Sequence, residues 1–311
     1  MRQFLMKILQ FLLFASIMYV IFLIMWGEIL PDGLKKNLNY RIGSYGHMYT
    51  RIRDIQNYRD VDILFIGSSH AYRGFDGRIF EEYGFTTFNL GSSSQTPVQS
   101  LLLLNRYLDG LNPGMIVMEV YPSSFSSDGV ESSLDLIAND RIGPDTLQLA
   151  LIQNNVKVYN TLIFGLYRQV LNRNDKYSEN NIKDDDTYIS GGYVEKKLKH
   201  NNINNTDSGK QITWKPRAYQ LDAFREIIRL ADERDIPLIL VQAPVTSYKY
   251  NEYTNNDEID RFFADYADHY INFNLLLDLS DQMHFYDEQH MNQEGVRIFN
   301  LAFINMLLNG W

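Results

Sequence analysis

The sequence predicts an α/β fold, a three-layer sandwich around a central, mostly parallel sheet, preceded by one transmembrane helix. Three observations predict it. Residues 61–66, 115–120 and 236–242 are short, nearly continuous apolar runs, as in strands buried on both faces. Helical patterns lie between such runs, and strands alternating with helices imply a parallel sheet covered on both sides. Upstream, residues 8–26 form a run of 19 residues without a charge, close to the length that crosses a hydrocarbon core as a helix.

The elements follow in chain order. Residues 1–6 read as a cytoplasmic tail and 7–26 as the anchor. A cleaved signal peptide would have a shorter apolar region and a small-residue cleavage site, whereas this run leads into Gly27-Glu28-Ile29-Leu30-Pro31. Arg2, Lys7 and the amino terminus precede the span, so the short tail is expected to stay in the cytoplasm with the rest exported, a single-pass cell-membrane protein. Residues 27–59 are mixed in charge and weakly periodic, a juxtamembrane connector. The folded domain is expected over 60–311. Its strands are placed at 61–66, 85–90, 115–120, 236–242 and, short, at 270–273. Thr96-Pro97-Val98-Gln99 opens a helix as N-cap, N1 and N3 residues, which Gly110 is expected to end. Leu221, Phe224, Ile227, Ile228 and Ala231 mark one face of another helix. Asn292 caps the last one, with Val296, Phe299, Phe303 and Met306 in its stripe. Between 123 and 214 the alternation stops. Residues 144–171 look helical, and 172–210 read as a polar surface excursion. The Asp184-Asp185-Asp186 run lacks the spacing of a calcium loop and reads as solvated charge.

Composition excludes several functions. The chain has 311 residues, 45% hydrophobic and 22% charged, as expected of a folded protein. Lys plus Arg is 29 and Asp plus Glu is 38, a net charge of −9, so nucleic acid is not an expected partner. No cysteine is present, which excludes a thiol nucleophile, a disulfide and a Cys-based metal site.

Active sites of parallel sheets lie at the carboxyl ends of the strands. After the first strand comes Gly67-Ser68-Ser69-His70. A Ser there starts the next helix, where backbone N–H groups can hold an oxyanion. Serine alone is a weak nucleophile and needs a base. Before the last helix, Asp287 and His290 stand three residues apart. In a turn the carboxylate can fold back on the imidazole, fix its tautomer and leave the other nitrogen free for the Ser proton. Each element alone has a plain structural reading, an N-cap or a chance D-x-x-H. Their order along an α/β pattern strengthens both.

These residues resemble the blocks of the SGNH (GDSL-like) hydrolase superfamily of esterases and acyltransferases, whose fold is of the flavodoxin-like type. Gly67-Ser68-Ser69 matches the first block, with Ser68 in place of Asp, which implies Ser69 as nucleophile. Asn89-Leu90-Gly91-Ser92 matches the second and implies the Gly91 N–H as an oxyanion donor beside that of Ser69. Asp287 and His290 match the last. The resemblance covers about residues 60–122 and 236–305. The third block departs: where the family has G-x-N-D, this strand ends in Glu119-Val120-Tyr121-Pro122-Ser123-Ser124-Phe125. Either Ser123 donates instead or the hole relies on the Ser69 and Gly91 N–H groups, and Asn139-Asp140 lies too far past the strand. Together with the anchor, the G-S-S block is similar to anchored proteins of teichoic acid D-alanyl transfer and of alginate or peptidoglycan O-acetylation. These work beside a multi-pass membrane acyltransferase.

The expected function is a Ser-dependent esterase or O-acyltransferase acting on acyl groups of an envelope polysaccharide, with no cofactor and no metal implied. The alternative is a degenerate SGNH domain that binds a glycan or serves as scaffold for the membrane acyltransferase. Arg73, one helical turn after Ser69, is a candidate for binding an anionic group, against a salt bridge with Asp76 or another acid. His70, beside Ser69, has two readings, a group supporting the nucleophile from behind and, the one expected, a residue facing away on the first helical turn. His284 yields to His290 by the block pattern, and His47, His200 and His269 have no motif. Tyr121, Phe125 and Trp214 would suit a sugar-lining role, although aromatic residues are more often core.

Overall fold

The computed structural model describes residues 1–174, 176–198, 211–267 and 269–310. His200 and part of the 172–210 excursion lie outside the described residues. The chain opens with α1 (Arg2–Ile29). Then follow α2 (Met48–Asp54), β1 (Ile63–Ile66), α3 (Ser69–Gly74), α4 (Gly77–Glu81), β2 (Thr87–Asn89), α5 (Pro97–Leu111) and β3 (Met115–Glu119). Four helices come next, α6 (Pro122–Ser126), α7 (Val130–Asn139), α8 (Pro144–Gln153) and α9 (Val156–Val170). After them stand β4 (Ile182–Lys183), β5 (Asp186–Ile189) and β6 (Tyr193–Lys196). The chain closes with α10 (Ala218–Asp232), β7 (Leu238–Gln242), α11 (Ser247–Tyr250), α12 (Asn256–Ala264), β8 (His269–Asn272), α13 (Phe273–Leu276) and α14 (Gln293–Asn309).

Two compact units are formed. The first holds Met1–Ile42 and Ser133–Tyr177, the second Gly43–Ser132 and Ser178–Trp311. The connector at 27–59 is thus divided at residue 42, and the 123–214 region is shared between the two.

The second unit carries a five-stranded sheet in the order β2-β1-β3-β7-β8, with every pairing parallel and helices on both sides. All five predicted strands are present. Alternation along the strands sends Ile63, Phe65, Val117, Ile239 and Val241 to one face. There they share a core with Phe75 just after α3, Phe80 of α4, and Phe299 and Phe303 of α14. Phe65 stacks on Phe75 with ring centroids 4.2 Å apart. Leu64, Ile66, Ile116, Met118 and Leu240 point the other way and are also buried, which explains why these strands lack an alternating polar pattern. From β1 the chain pairs outward to β2 and then crosses to β3 on the other side. The strand order therefore reverses at β1, and a crevice at its carboxyl end is the expected place for a site.

Two expectations are corrected here. The helix α5 passes Gly110 and stops at Asn112, whose φ of 42° caps it in the left-handed region; Asn tolerates that conformation and so replaces glycine. The excursion also contains an antiparallel ribbon, β4-β5-β6. The ribbon is fastened by tertiary bonds: Arg51 donates to Gly192 O from Nε (3.1 Å) and Nη2 (2.9 Å), and Asp54 accepts from Gly191 N–H at 2.9 Å.

In the first unit, α1 is a single apolar helix of 28 residues, about 42 Å long at 1.5 Å per residue. Most of its side chains are exposed, but Leu23 and Gly27 are buried. A Cβ at Gly27 would lie 2.3 Å from the Phe164 ring, so glycine there permits the close approach of α9. Leu23, Leu38 and Phe164 form the small core of this unit.

Candidate active site

β1 ends at Ile66, and the chain turns at Gly67 with φ 145°. A Cβ at that position would meet Glu119 Cβ at 2.8 Å and its carbonyl oxygen at 3.0 Å. Glycine is required there both by the backbone conformation and by the neighbouring strand β3. Ser68 then caps α3, its hydroxyl accepting from the His70 N–H at 3.3 Å. Ser69 is the first residue of the helix, at the carboxyl edge of the sheet.

His290, the expected base, arrives from the loop before α14. That loop is held at both ends. Asn292 caps α14 by accepting from the Glu294 and Gly295 N–H groups, each at 3.1 Å. The Glu288 carbonyl accepts from Thr246 N–H at 3.2 Å and Oγ1 at 2.9 Å. Within it Asp287 Oδ1 accepts from the N–H groups of Gln289 (2.8 Å) and His290 (2.7 Å). The His290 Nδ1 lies 2.9 Å from Asp287 Oδ2, and its Nε2 lies 2.8 Å from Ser69 Oγ. With Nδ1–H donated to the carboxylate, Nε2 is the acceptor for the Ser69 hydroxyl. Burial pushes the Asp287 carboxyl up, but the His290 hydrogen bond and charge and the two N–H groups outweigh it and hold it below its ordinary value. Asp287 is therefore ionised where a Ser–His pair would operate. The Tyr286 ring lies parallel to that of His290, with centroids 5.6 Å apart.

A buried polar chain stands behind Ser69. The Ser68 hydroxyl donates to Glu119 Oε2 at 2.9 Å and lies 3.0 Å from His70 Nδ1. His70 is only 4% exposed, so it does not face away as expected. Its ring stacks on His290 at 5.1 Å and lies tilted against Tyr121 at 4.2 Å. Burial, with the neighbouring His290, lowers its pKa to about 3, which keeps it neutral. Glu119 is pushed up to about 8, mainly by burial and against hydrogen bonds from Ser68 and Tyr121. The sequence carried a signal for this: Glu119 is the one charged residue in an otherwise apolar strand buried on both faces, and a buried carboxyl needs partners.

The expected oxyanion donors are unequal. No hydrogen bond among the described residues engages the Ser69 N–H. The Gly91 N–H donates to Asn89 Oδ1 at 2.9 Å, while Asn89 Nδ2 donates to Ala71 O at 2.8 Å. Asn89 thus ties the second block to α3, and sequence reasoning missed it. Ser123 is exposed in the first turn of α6 and its hydroxyl bonds to Tyr253.

Arg73 is held elsewhere. Its guanidinium makes a two-pronged pair with Asp186 at 2.9 and 2.8 Å, and Asp186 also meets Lys196 at 3.3 Å. The expected partner Asp76 instead caps α4 and pairs with Arg78 at 2.7 Å. Asp186 is thus not part of a solvated run. Tyr121, Phe125 and Trp214 are all buried. Phe125 packs on Trp214, Phe224 and Phe263, so core rather than sugar-lining describes them. His284 Nδ1 accepts the Ser280 N–H at 2.9 Å, outside the relay.

No family model and no curated protein matches the chain. Two solved structures are similar to it at 11% identity, each over 85% of this chain and 98% of its own. One is a protein provisionally described as an acylhydrolase from Bacteroides fragilis NCTC 9343, with a TM-score of 0.41. The other is a GDSL-like lipase from Bacteroides thetaiotaomicron VPI-5482, with a TM-score of 0.39. Any function must be argued from the geometry of the site itself.

Proposed function

We propose that the chain is a serine-dependent esterase or O-acyltransferase of the SGNH type, acting on acyl groups of an envelope polysaccharide. The observation that carries this reading is the unbroken relay from Asp287 through His290 to Ser69, at 2.9 and 2.8 Å. Ser69 Oγ attacks an ester carbonyl while His290 Nε2 takes its proton. The oxyanion forms against the Ser69 N–H, joined by the Gly91 N–H once that donor leaves Asn89. Collapse breaks the ester C–O bond, and the leaving alcohol takes the proton back from His290. Water or a sugar hydroxyl then attacks the acyl-Ser69 with His290 again as base. Asp287 stabilises the imidazolium in both halves.

The polysaccharide and the transfer step are supported by the likeness of the G-S-S block to anchored polymer-modifying proteins. In this reading α1 anchors the chain with its N-terminus in the cytoplasm. A multi-pass membrane acyltransferase is the expected partner. The test is labelling with a fluorophosphonate probe. Wild type and Ser68→Ala are expected to label, His290→Ala weakly, and Ser69→Ala not at all. A folded wild type that stays unlabelled would sink the proposal.

One observation favours a second reading. The Gly91 N–H is engaged by Asn89, and the third block has no Asn, so the oxyanion site is short of donors; losing one typically costs about 10²–10³ in rate. A catalytically silent glycan-binding or scaffold domain would tolerate that loss. Full complementation of a deletion strain by Ser69→Ala would select it.

A further inference from the structure

The segment that carries His290 rests on His70. The two rings are nearly parallel, with 20° between their planes and 5.1 Å between centroids. The His70 ring also meets the backbone of Gln289, the residue before His290, and that contact raises its proton affinity against the effect of burial. A hydrogen bond does so when the imidazole donates it, so the partner is the Gln289 carbonyl. Nδ1 of the same ring faces the Ser68 hydroxyl at 3.0 Å, which leaves Nε2–H for Gln289. His70 is buried, so water does not stand in for either partner.

One proton decides which way this chain points. With hydrogen on Nε2, Nδ1 is an acceptor and takes the single Ser68 proton. Ser68 Oγ then has none left for Glu119 Oε2, 2.9 Å away, and two acceptors would meet unless Glu119 supplies a proton. The acid form of Glu119 completes the chain, carboxyl to Ser68, Ser68 to His70 and His70 to the Gln289 carbonyl. Among the described residues no cation faces Glu119; it is met by Ser68 and by the Tyr121 N–H. Burial without a cation favours the neutral acid, whose pKa is pushed up to about 8. Ionisation reverses the chain. Ser68 then donates to the carboxylate, and His70 satisfies Ser68 by carrying its hydrogen on Nδ1. The bare Nε2 is left against the Gln289 carbonyl, and the segment loses its support. The other titratable groups facing the chain are Tyr121 beside Glu119, and His290, Asp287 and Lys249 around His70. Burial keeps Tyr121 protonated and His70 neutral near pH 8.

We propose that Glu119 is a positioning residue: through Ser68 and His70 its proton fixes the His70 tautomer, and with it the Gln289–His290 segment that presents Nε2 to Ser69. The kinetic consequence rests on the Asp287–His290–Ser69 reading, and the experiment separates the two. Full-length wild type and Glu119→Gln are compared in detergent micelles on both sides of pH 8. A Gln amide donates to Ser68 at every pH, so this variant is locked in the supporting form. One readout is the rate of fluorophosphonate labelling. The other is the pair of imidazole nitrogen resonances of His70 and His290 in protein with isotope-labelled histidine, assigned by their loss in His70→Ala and His290→Ala. Wild type is expected to hold hydrogen on His70 Nε2 below pH 8 and to lose it above, with the His290 signals shifting in step. Its labelling should fall by about tenfold over the same range, the worth of one hydrogen bond. Glu119→Gln should keep both the tautomer and the rate. Coincident alkaline profiles for the two proteins, in labelling or in the His70 signals, overturn the proposal. A folded wild type that does not label sinks the relay reading alone, and the two histidine signals then decide whether Glu119 steers the segment.

Discussion

The two sides of the His290 ring make an instructive contrast. On one side stands Asp287, half-exposed, ionised and bonded to Nδ1. On the other stands His70, the same residue type as His290 and only 5.1 Å away, yet buried and held neutral. Residue type does not distinguish the two histidines. Access to a carboxylate does. His290 has an acid on one nitrogen and a hydroxyl on the other, whereas His70 meets the Ser68 hydroxyl and the backbone of Gln289. The open side joins a carboxylate to a hydroxyl through one ring, and the buried side packs against that ring.

Substitutions can break or sharpen this contrast. The largest effect is expected on the open side. Asp287→Asn should leave the fold intact, since the Asn oxygen can still accept from the backbone, but reverse the hydrogen-bond sense towards Nδ1. Acyl-transfer or labelling rates should fall by about 10⁴. An unchanged rate in a folded variant would remove Asp287 from the relay.

Arg73 tests whether α3 also serves the substrate. Arg73→Ala leaves Asp186 without its main partner, and breaking such a pair costs about 3–5 kcal/mol. A large drop in melting temperature is expected, with labelling per folded molecule retained. A rise in KM for an anionic substrate without a stability loss would return Arg73 to the binding site.

Gly67→Ala probes the wall between the two sides. It forces an L residue into φ 145° and against Glu119. Strain and overpacking together should cost on the order of 3 kcal/mol, read by denaturant unfolding. A variant as stable as wild type would mean that the turn can relax.

A further prediction concerns pH. Glu119 keeps its proton to about pH 8 when folded, but loses it near 4.5 when unfolded. Across that window the native state binds more protons, so this group's contribution to stability falls as pH rises and levels off above about 8. Glu119→Gln removes the dependence. Its melting temperature, relative to wild type, should therefore climb between pH 5 and 8. Parallel profiles for the two proteins would show that the carboxyl is ionised throughout.

Much of this was legible before any coordinates. The five strands were visible because each is buried on both faces and reads as an apolar run. The Ser, Asp and His were visible because parallel sheets place their chemistry at strand ends, which narrows the search to a few loops. The ribbon β4–β6 was not. Its strands are short and set among polar residues, and they hold through Arg51, Asp54 and Arg73, which stand more than a hundred positions away. Local propensity contains no record of such partners.

The same reason divides the site. Chain order and residue type were enough to nominate a Ser after the first strand with Asp287 and His290, because their spacing along an α/β pattern is a one-dimensional property, and the block resemblance picked Ser69 over Ser68. Which groups are free was settled in three dimensions. Arg73 is taken up by Asp186, the Gly91 N–H by Asn89, and His70 turns inward onto His290. A hydrogen bond depends on ångström distances between residues that the sequence holds far apart, and only folding brings those distances into being.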